Sequence, residues 1–262
     1  MTKEKLLWFS SLGLGFLLAA CGGGEQETAE TAEYEAGAPA GDVEPVDPTT
    51  VGAITGTISF EGDAPRMPRI RMDAVPACME VNPDPVYSEE VIVNDNGTLR
   101  NVFIYVKDGL GERRFPIPDE AVVINQIGCS YQPHVVGLMA GQTLRLKNND
   151  STNHNVHPLP TSNREWNQSQ PPGSADLEEQ FARPEIMIPV KCNVHPWMKA
   201  YIGVQRHPFF AASGDNGTFS IEGLPPGTYT IEAWHEKYEA QEMQVTVGES
   251  ETATADFSFS EG

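Results

Sequence analysis

From residue 51 onward, apolar and polar positions alternate in short runs. "AITGTISFEG", "EEVIVND", "RNVFIYVKDG", "EAVVINQIG", "QTLRLKNN", "EIMIPVKC", "AYIGVQ", "GTFSIEG", "GTYTIEAW" and "QEMQVTVG" are rich in Val, Ile, Thr, Phe and Tyr and are broken by Gly, Pro and Asn. A period of two with such punctuation predicts β-strands, each turning one face to a core. Asp-Asn-Gly-Thr occurs twice, at 95–98 and 215–218, each time before a strand-like run. The Asn-Gly pair supplies the positive φ angles of a tight hairpin. No long apolar stripe of period 3.6 interrupts the pattern. The expected fold class is all-β, built of sandwiches.

The first 50 residues follow other rules. Lys3 and Lys5 precede "LLWFSSLGLGFLLAA", an apolar stretch short for a membrane span, which reads as a signal segment over 1–20. It ends in Leu18-Ala19-Ala20-Cys21, which resembles a bacterial lipobox. The resemblance implies that Cys21 receives a lipid and becomes the mature N-terminus, with Gly22 after it favouring the outer over the inner membrane. Residues 22–50 hold eight acidic residues, no basic ones and few large apolar side chains. Such a stretch cannot bury enough surface to fold and reads, with Cys21, as an acidic tether over 21–50. Its reach is about 30 Å. The folded part is thus expected in the bacterial cell envelope, on the periplasmic side.

The chain of 262 residues has a formal charge of −20. That balance argues against nucleic acid or an anionic membrane surface as an electrostatic partner and favours basic ones. It also suits solubility. Length alone allows one or two folded domains.

The C-terminal stretch "DNGTFSIEGLPPGTYTIEAWHEKYEAQEMQVTVGE" resembles a carboxypeptidase regulatory-like repeat, a small transthyretin-like sandwich. That family opens on a strand such as "GTISFEGDAP" at 56–65, and "NVFIYVKDG" at 101–109 fits its next strand. The resemblance implies one sandwich split by an insertion: a first half over 51–114, an inserted domain over 115–207 and a second half over 208–262. Two sandwiches in series are the alternative. Peptidase chemistry is not supported, because "HEKYE" at 235–239 lacks the second histidine of a zinc-binding helix and lies in a strand region. No nucleophile elbow or phosphate-binding glycine loop is present either. The expectation is that the protein is not an enzyme.

Two stretches carry metal chemistry. "NHNVHPLP" supplies His154, and "KCNVHPWMKAYIGV" supplies Cys192, His195 and Met198. A thiolate, two imidazoles and a thioether are the donor set of a type 1 copper site. Soft sulfur suits Cu(I), imidazole suits both oxidation states, and a rigid sandwich limits rearrangement between them. Residues 133–205 resemble a cupredoxin, most closely an amicyanin, through "GQTLRLKNNDSTNHNVH" followed by "CNVHPWM". The resemblance implies His154 as the early ligand and Cys192, His195 and Met198 as the late ones. It gives Asn155 the role of pinning the two ligand loops together. Asn153 stands where the family has proline. The rival reading is zinc on His154, His157, Cys192 and His195, but residues i and i+3 of a strand face opposite sides. With Cys192 a ligand, Cys78 and Cys129 remain to pair in an oxidising compartment, although spacing alone settles no connectivity. His134, His207 and His235 are expected in packing or surface roles.

The function expected from this set is one-electron transfer by a lipid-anchored periplasmic copper protein, four protein ligands leaving no open position for catalysis. Storage or delivery of copper and a structural role in a membrane respiratory complex are the alternatives. The partner is expected to be a redox protein, with a basic c-type cytochrome as the candidate. In cupredoxins the late histidine reaches the surface through an apolar patch. By resemblance that histidine is His195, with Pro196 and Trp197 as docking residues.

Overall fold

The computed structural model describes residues 46–261. The signal segment 1–20, Cys21 and the tether up to residue 45 lie outside the described residues. Along the chain, β1 (Gly52–Glu61), α1 (Pro76–Val81) and β2 (Phe103–Asp108) come first. Next are β3 (Val122–Ile127), β4 (Ser130–Gln132), β5 (Val135–Met139), β6 (Leu144–Asn148) and β7 (His154–Pro158). They are followed by β8 (Gln168–Gln170), β9 (Leu177–Glu179), β10 (Glu185–Lys191) and β11 (Lys199–Gln205). The last are β12 (Phe210–Ala212), β13 (Thr218–Leu224), β14 (Gly227–Trp234), β15 (Gln241–Val247), β16 (Thr252–Thr254) and β17 (Phe257–Ser260).

These strands make two sandwiches. In the first, β1 pairs antiparallel with β13 and parallel with β16 and β17, and the facing sheet runs β12-β2-β14-β15. Ile54, Ile58 and Phe60 alternate inward along β1 and meet Ile104, Val106, Ile231 and Val245. In the second, the sheets run β5-β11-β10-β7-β8 and β4-β3-β6-β9 around Leu138, Leu144, Leu146, Val190 and Ile202. The chain leaves the first sandwich after β2 and re-enters it at β12, and these two strands are antiparallel neighbours. Adjacent exit and return points let the second sandwich form without disturbing the first sheet's ladder.

The two sandwiches share an interface. Phe103 and Tyr105 face away from the first core, yet they are buried, against Val135 and Met187. Gly137 and Gly203 are paired across β5 and β11. A Cβ on Gly203 would lie 2.5 Å from the Phe103 ring, and one on Gly137 2.4 Å from the Phe210 ring. Only glycines leave room for those rings.

Three expectations are corrected. "EEVIVND" is not a strand: it makes one isolated bridge, Val93 with Leu99, and Val91 and Val93 pack on the first core; residues 62–101 are mostly irregular, and the part around Cys78 packs against Cys129 and Trp197 of the second sandwich. Residues 46–50 are not solvated tether, since Val46 packs on the first core and Ser250 donates to the Thr50 carbonyl. In the Asp-Asn-Gly-Thr turns only Gly97 and Gly217 take positive φ, while Asn96 and Asn216 accept from the following threonines.

Candidate metal centre

The ligand candidates come from two loops at one end of the second sandwich. The loop from β6 to β7 delivers His154, whose inward direction is set by strand alternation with the buried Val156 and Pro158. The loop between β10 and β11 delivers Cys192, His195 and Met198. It closes on itself: the Cys192 amide donates to the Met198 carbonyl at 3.2 Å, and the Met198 amide to the His195 carbonyl at 2.9 Å.

His154 and His195 are fully buried, and Cys192 and Met198 nearly so. The two Nδ1 atoms are 2.8 Å apart, and the Cys192 sulfur is 4.0 Å from His195 Nδ1. His154, Cys192 and His195 together bring one donor atom each within 4.8 Å of the others. Met198 lies in the same buried cluster as Cys192. The backbone amides of Asn155 and His195 both donate to the Cys192 sulfur at 3.4 Å. Asn155 thus joins the two loops through its main chain. Its carboxamide donates to the Asn167 side chain at 3.1 Å.

The surroundings shift Cys192 and His154 in opposite directions. Burial pushes the Cys192 thiol up, but His154 and the amides of Asn155, His195 and Val194 outweigh it and leave the thiol below its ordinary range. Burial alone would lower His154, and the Asp150 carboxylate and Cys192 reverse this and raise it. His195 is lowered by burial and by the charge of His154.

Asp150 was not singled out in the sequence. Its buried carboxylate lies 2.9 Å from His154 Nε2 and accepts the amides of Gly128 and Cys129 at 2.7 and 2.8 Å. Burial pushes Asp150 up, and these three donors hold it below the ordinary carboxylate range. Gly128 and Cys129 form the two-residue turn between β3 and β4, both at positive φ. Such a turn aims successive amides outward, here at Asp150.

Cys78 and Cys129 are joined in a disulfide. Cys78, on α1, places its sulfur 3.9 Å from His195 Nε2. Trp197 donates its indole N–H to the Cys129 carbonyl at 3.0 Å, with its ring 5.1 Å from that of His195. This corrects the expectation that His195 reaches solvent through an apolar patch. The disulfide and α1 cover that edge, and Trp197 is half-buried in the cover, while Pro196 is exposed.

The remaining histidines lie apart from this centre. His157 points away from His154, between Asn193 at 3.0 Å and Glu165 at 2.6 Å. His134 bonds Glu236, which also accepts from Tyr201. His207 bonds the Val106 carbonyl, and His235 stacks on Tyr238.

The donor set fits a soft, redox-active metal. With Nε2 of His154 engaged by a carboxylate, the Nδ1 lone pair turns inward toward the thiolate and the second imidazole. His154, His195 and Cys192 would hold the ion, with Met198 the adjacent thioether.

A family model described as carboxypeptidase regulatory-like domain matches residues 199–260. Among solved structures, a purple cupredoxin from Nitrosopumilus maritimus is similar over 32% of this chain and 99% of its own, at 20% identity and a TM-score of 0.28. A Cu(I) form of an amicyanin variant is similar over 39% of this chain and 98% of its own, at 19% identity and a TM-score of 0.30. A copper-containing nitrite reductase from Thermus scotoductus SA-01 is similar at 20% identity and a TM-score of 0.32, over 37% of this chain. The chain spans only about a quarter (25%) of that reductase. No curated protein matches the sequence. The molecule is a nearly all-β protein of two sandwiches, with the carboxypeptidase regulatory-like match falling on its C-terminal strands.

Proposed function

We propose that the protein is a one-electron carrier built on a type 1 copper site, tethered by a lipid on Cys21 to the bacterial cell envelope and facing the periplasm. The observation that carries this reading is the convergence of His154 Nδ1, His195 Nδ1 and the Cys192 sulfur in a buried pocket. Copper bound there supplies a one-electron couple. The chain's part is to hold a single donor arrangement for both oxidation states. Two amide hydrogen bonds to Cys192 stabilise its thiolate form, and the closed loop from Cys192 to Met198 restricts movement. Burial keeps water from the donors.

The partner is a redox protein with a basic face, such as a c-type cytochrome, because the chain carries a net charge of −20. Its path to His195 runs through the groups that cover the ring, Cys78 and Trp197. Delivery of copper to another protein fits less well, since release would have to pass a cap fixed by a disulfide. Voltammetry of the copper-loaded full chain tests the reading. A reversible one-electron wave, with exchange to a basic cytochrome that slows as salt rises, supports it. Tight Cu(I) binding with no reversible oxidation would assign storage instead.

A further inference from the structure

The turn at Gly128-Cys129 touches the outer edges of both ligand histidines. Its two amides hold Asp150, which holds His154 Nε2. Its Cys129 sulfur is bonded to Cys78, which sits against His195 Nε2. Its Cys129 carbonyl accepts Trp197, whose indole packs on the His195 ring. Asn82 adds a fourth tie, donating to the carbonyls of Gly128 and Cys78, both at 2.9 Å. A carboxylate buried this deeply needs all its donors, so Asp150 cannot turn from His154 without breaking the two amide bonds.

We propose that Asp150 is the positioning residue of the metal centre: anchored by the disulfide-bonded turn at Gly128-Cys129, it fixes His154 with its proton on Nε2 and its Nδ1 lone pair toward the metal. The inference rests on the copper reading above but not on electron transfer to any partner. An anionic acceptor at Nε2 leaves no other tautomer for a neutral ring. It also raises the donor strength of Nδ1, which favours the more highly charged Cu(II).

The test is Asp150→Ser in the full chain. A serine hydroxyl can accept from the turn but is too short for His154, so Nε2 loses its acceptor and the ring loses the bond that keeps its proton there. Asp150→Asn is the conservative control, because a carboxamide oxygen in the place of Oδ2 can still accept from both the Cys129 amide and His154 Nε2. Three readouts follow. Nitrogen-15 spectra of the metal-free protein, at a pH that leaves His154 neutral, report the tautomer. Chelator competition reports Cu(II) affinity, and potentiometry reports the Cu(II)/Cu(I) balance. The expected result in Asp150→Ser is loss of the single Nε2–H tautomer, a loss of about tenfold or more in Cu(II) affinity and a higher potential, with the Nε2–H tautomer kept in Asp150→Asn. Retention of the single Nε2–H tautomer, or of wild-type Cu(II) affinity, in folded, disulfide-bonded Asp150→Ser overturns the proposal. If Asp150→Ser does not fold, Asp150→Thr serves: its hydroxyl likewise is too short for His154, and the same outcomes decide. If the wild-type chain forms no copper–thiolate colour, the copper reading has failed, and the tautomer measurement still judges Asp150.

Discussion

Replacing Cys78 and Cys129 together by serine removes the bond that holds α1 over His195. The two cysteines are 51 residues apart. Freeing a loop of that length in the unfolded chain costs the native state about 4 kcal/mol by chain entropy. Total stabilities of domains are about 5–15 kcal/mol, so the variant should still fold. Met72, Val75, Val86 and Trp197 can still pack in the cap and Asn82 can still bond Gly128, but without the covalent bond the cap can open locally while the chain stays folded. With a urea slope of about 2 kcal/mol per molar, the unfolding midpoint should fall by about 2 M. Acylation of imidazole nitrogens in the metal-free protein, mapped by peptide mass, reports the cap itself. In the native chain His195 Nε2 is shielded by the Cys78 sulfur and should be unreactive. In the double variant it should react. A midpoint lowered by less than about 0.5 M, together with an unreactive His195, would refute the reasoning and assign the cover to packing alone.

Burial lowers His207 and His235 to about 4 each. Between about pH 6.5 and 4 the unfolded chain therefore binds a proton that the folded chain does not. Stability contributed by each is present above the unfolded value and falls by about 1.4 kcal/mol per unit as pH drops through that window. Urea midpoints from pH 7 to 5 should fall less steeply in His207→Gln than in the native protein, and parallel slopes would contradict this. Gly203→Ala should destabilise the interface between the sandwiches by about 1–3 kcal/mol, because its Cβ would lie 2.5 Å from the Phe103 ring. Calorimetry should show a lowered unfolding temperature, and an unchanged one would mean that the rings have room to move.

The strand content was legible because half-buried strands write a period of two into the chain, as β1 does with Ile54, Ile58 and Phe60. The four donor candidates were legible as a group because three of them lie within seven residues on one loop. What covers the site was not. Cys78 and Cys129 could be paired by counting, but their place against His195 depends on an irregular segment whose path is set by contacts far apart in sequence. "EEVIVND" misled for a related reason: Val91 and Val93 pack on the first core from an irregular segment and not from a ladder. Asp150 stands four residues before His154 in a run of Asn, Ser and Thr, where an acid reads as a solvated loop residue. Its one available signal was that spacing. The turn that holds it, Gly128-Cys129, lacks the Asn-Gly or Asp-Gly signature because a disulfide-bonded cysteine occupies the second position.

The visible spectrum of the full chain titrated with Cu(II), beside that of Cys192→Ser, tests the central claim most directly. A buried cysteine thiolate with two converging imidazole nitrogens should give one intense thiolate-to-copper band, saturating at one copper per chain. Cys192→Ser should remove the band while leaving the unfolding free energy within about 1 kcal/mol, since the loop lies at one end of the sandwich. A colourless native chain, or colour that survives in Cys192→Ser, would contradict the account.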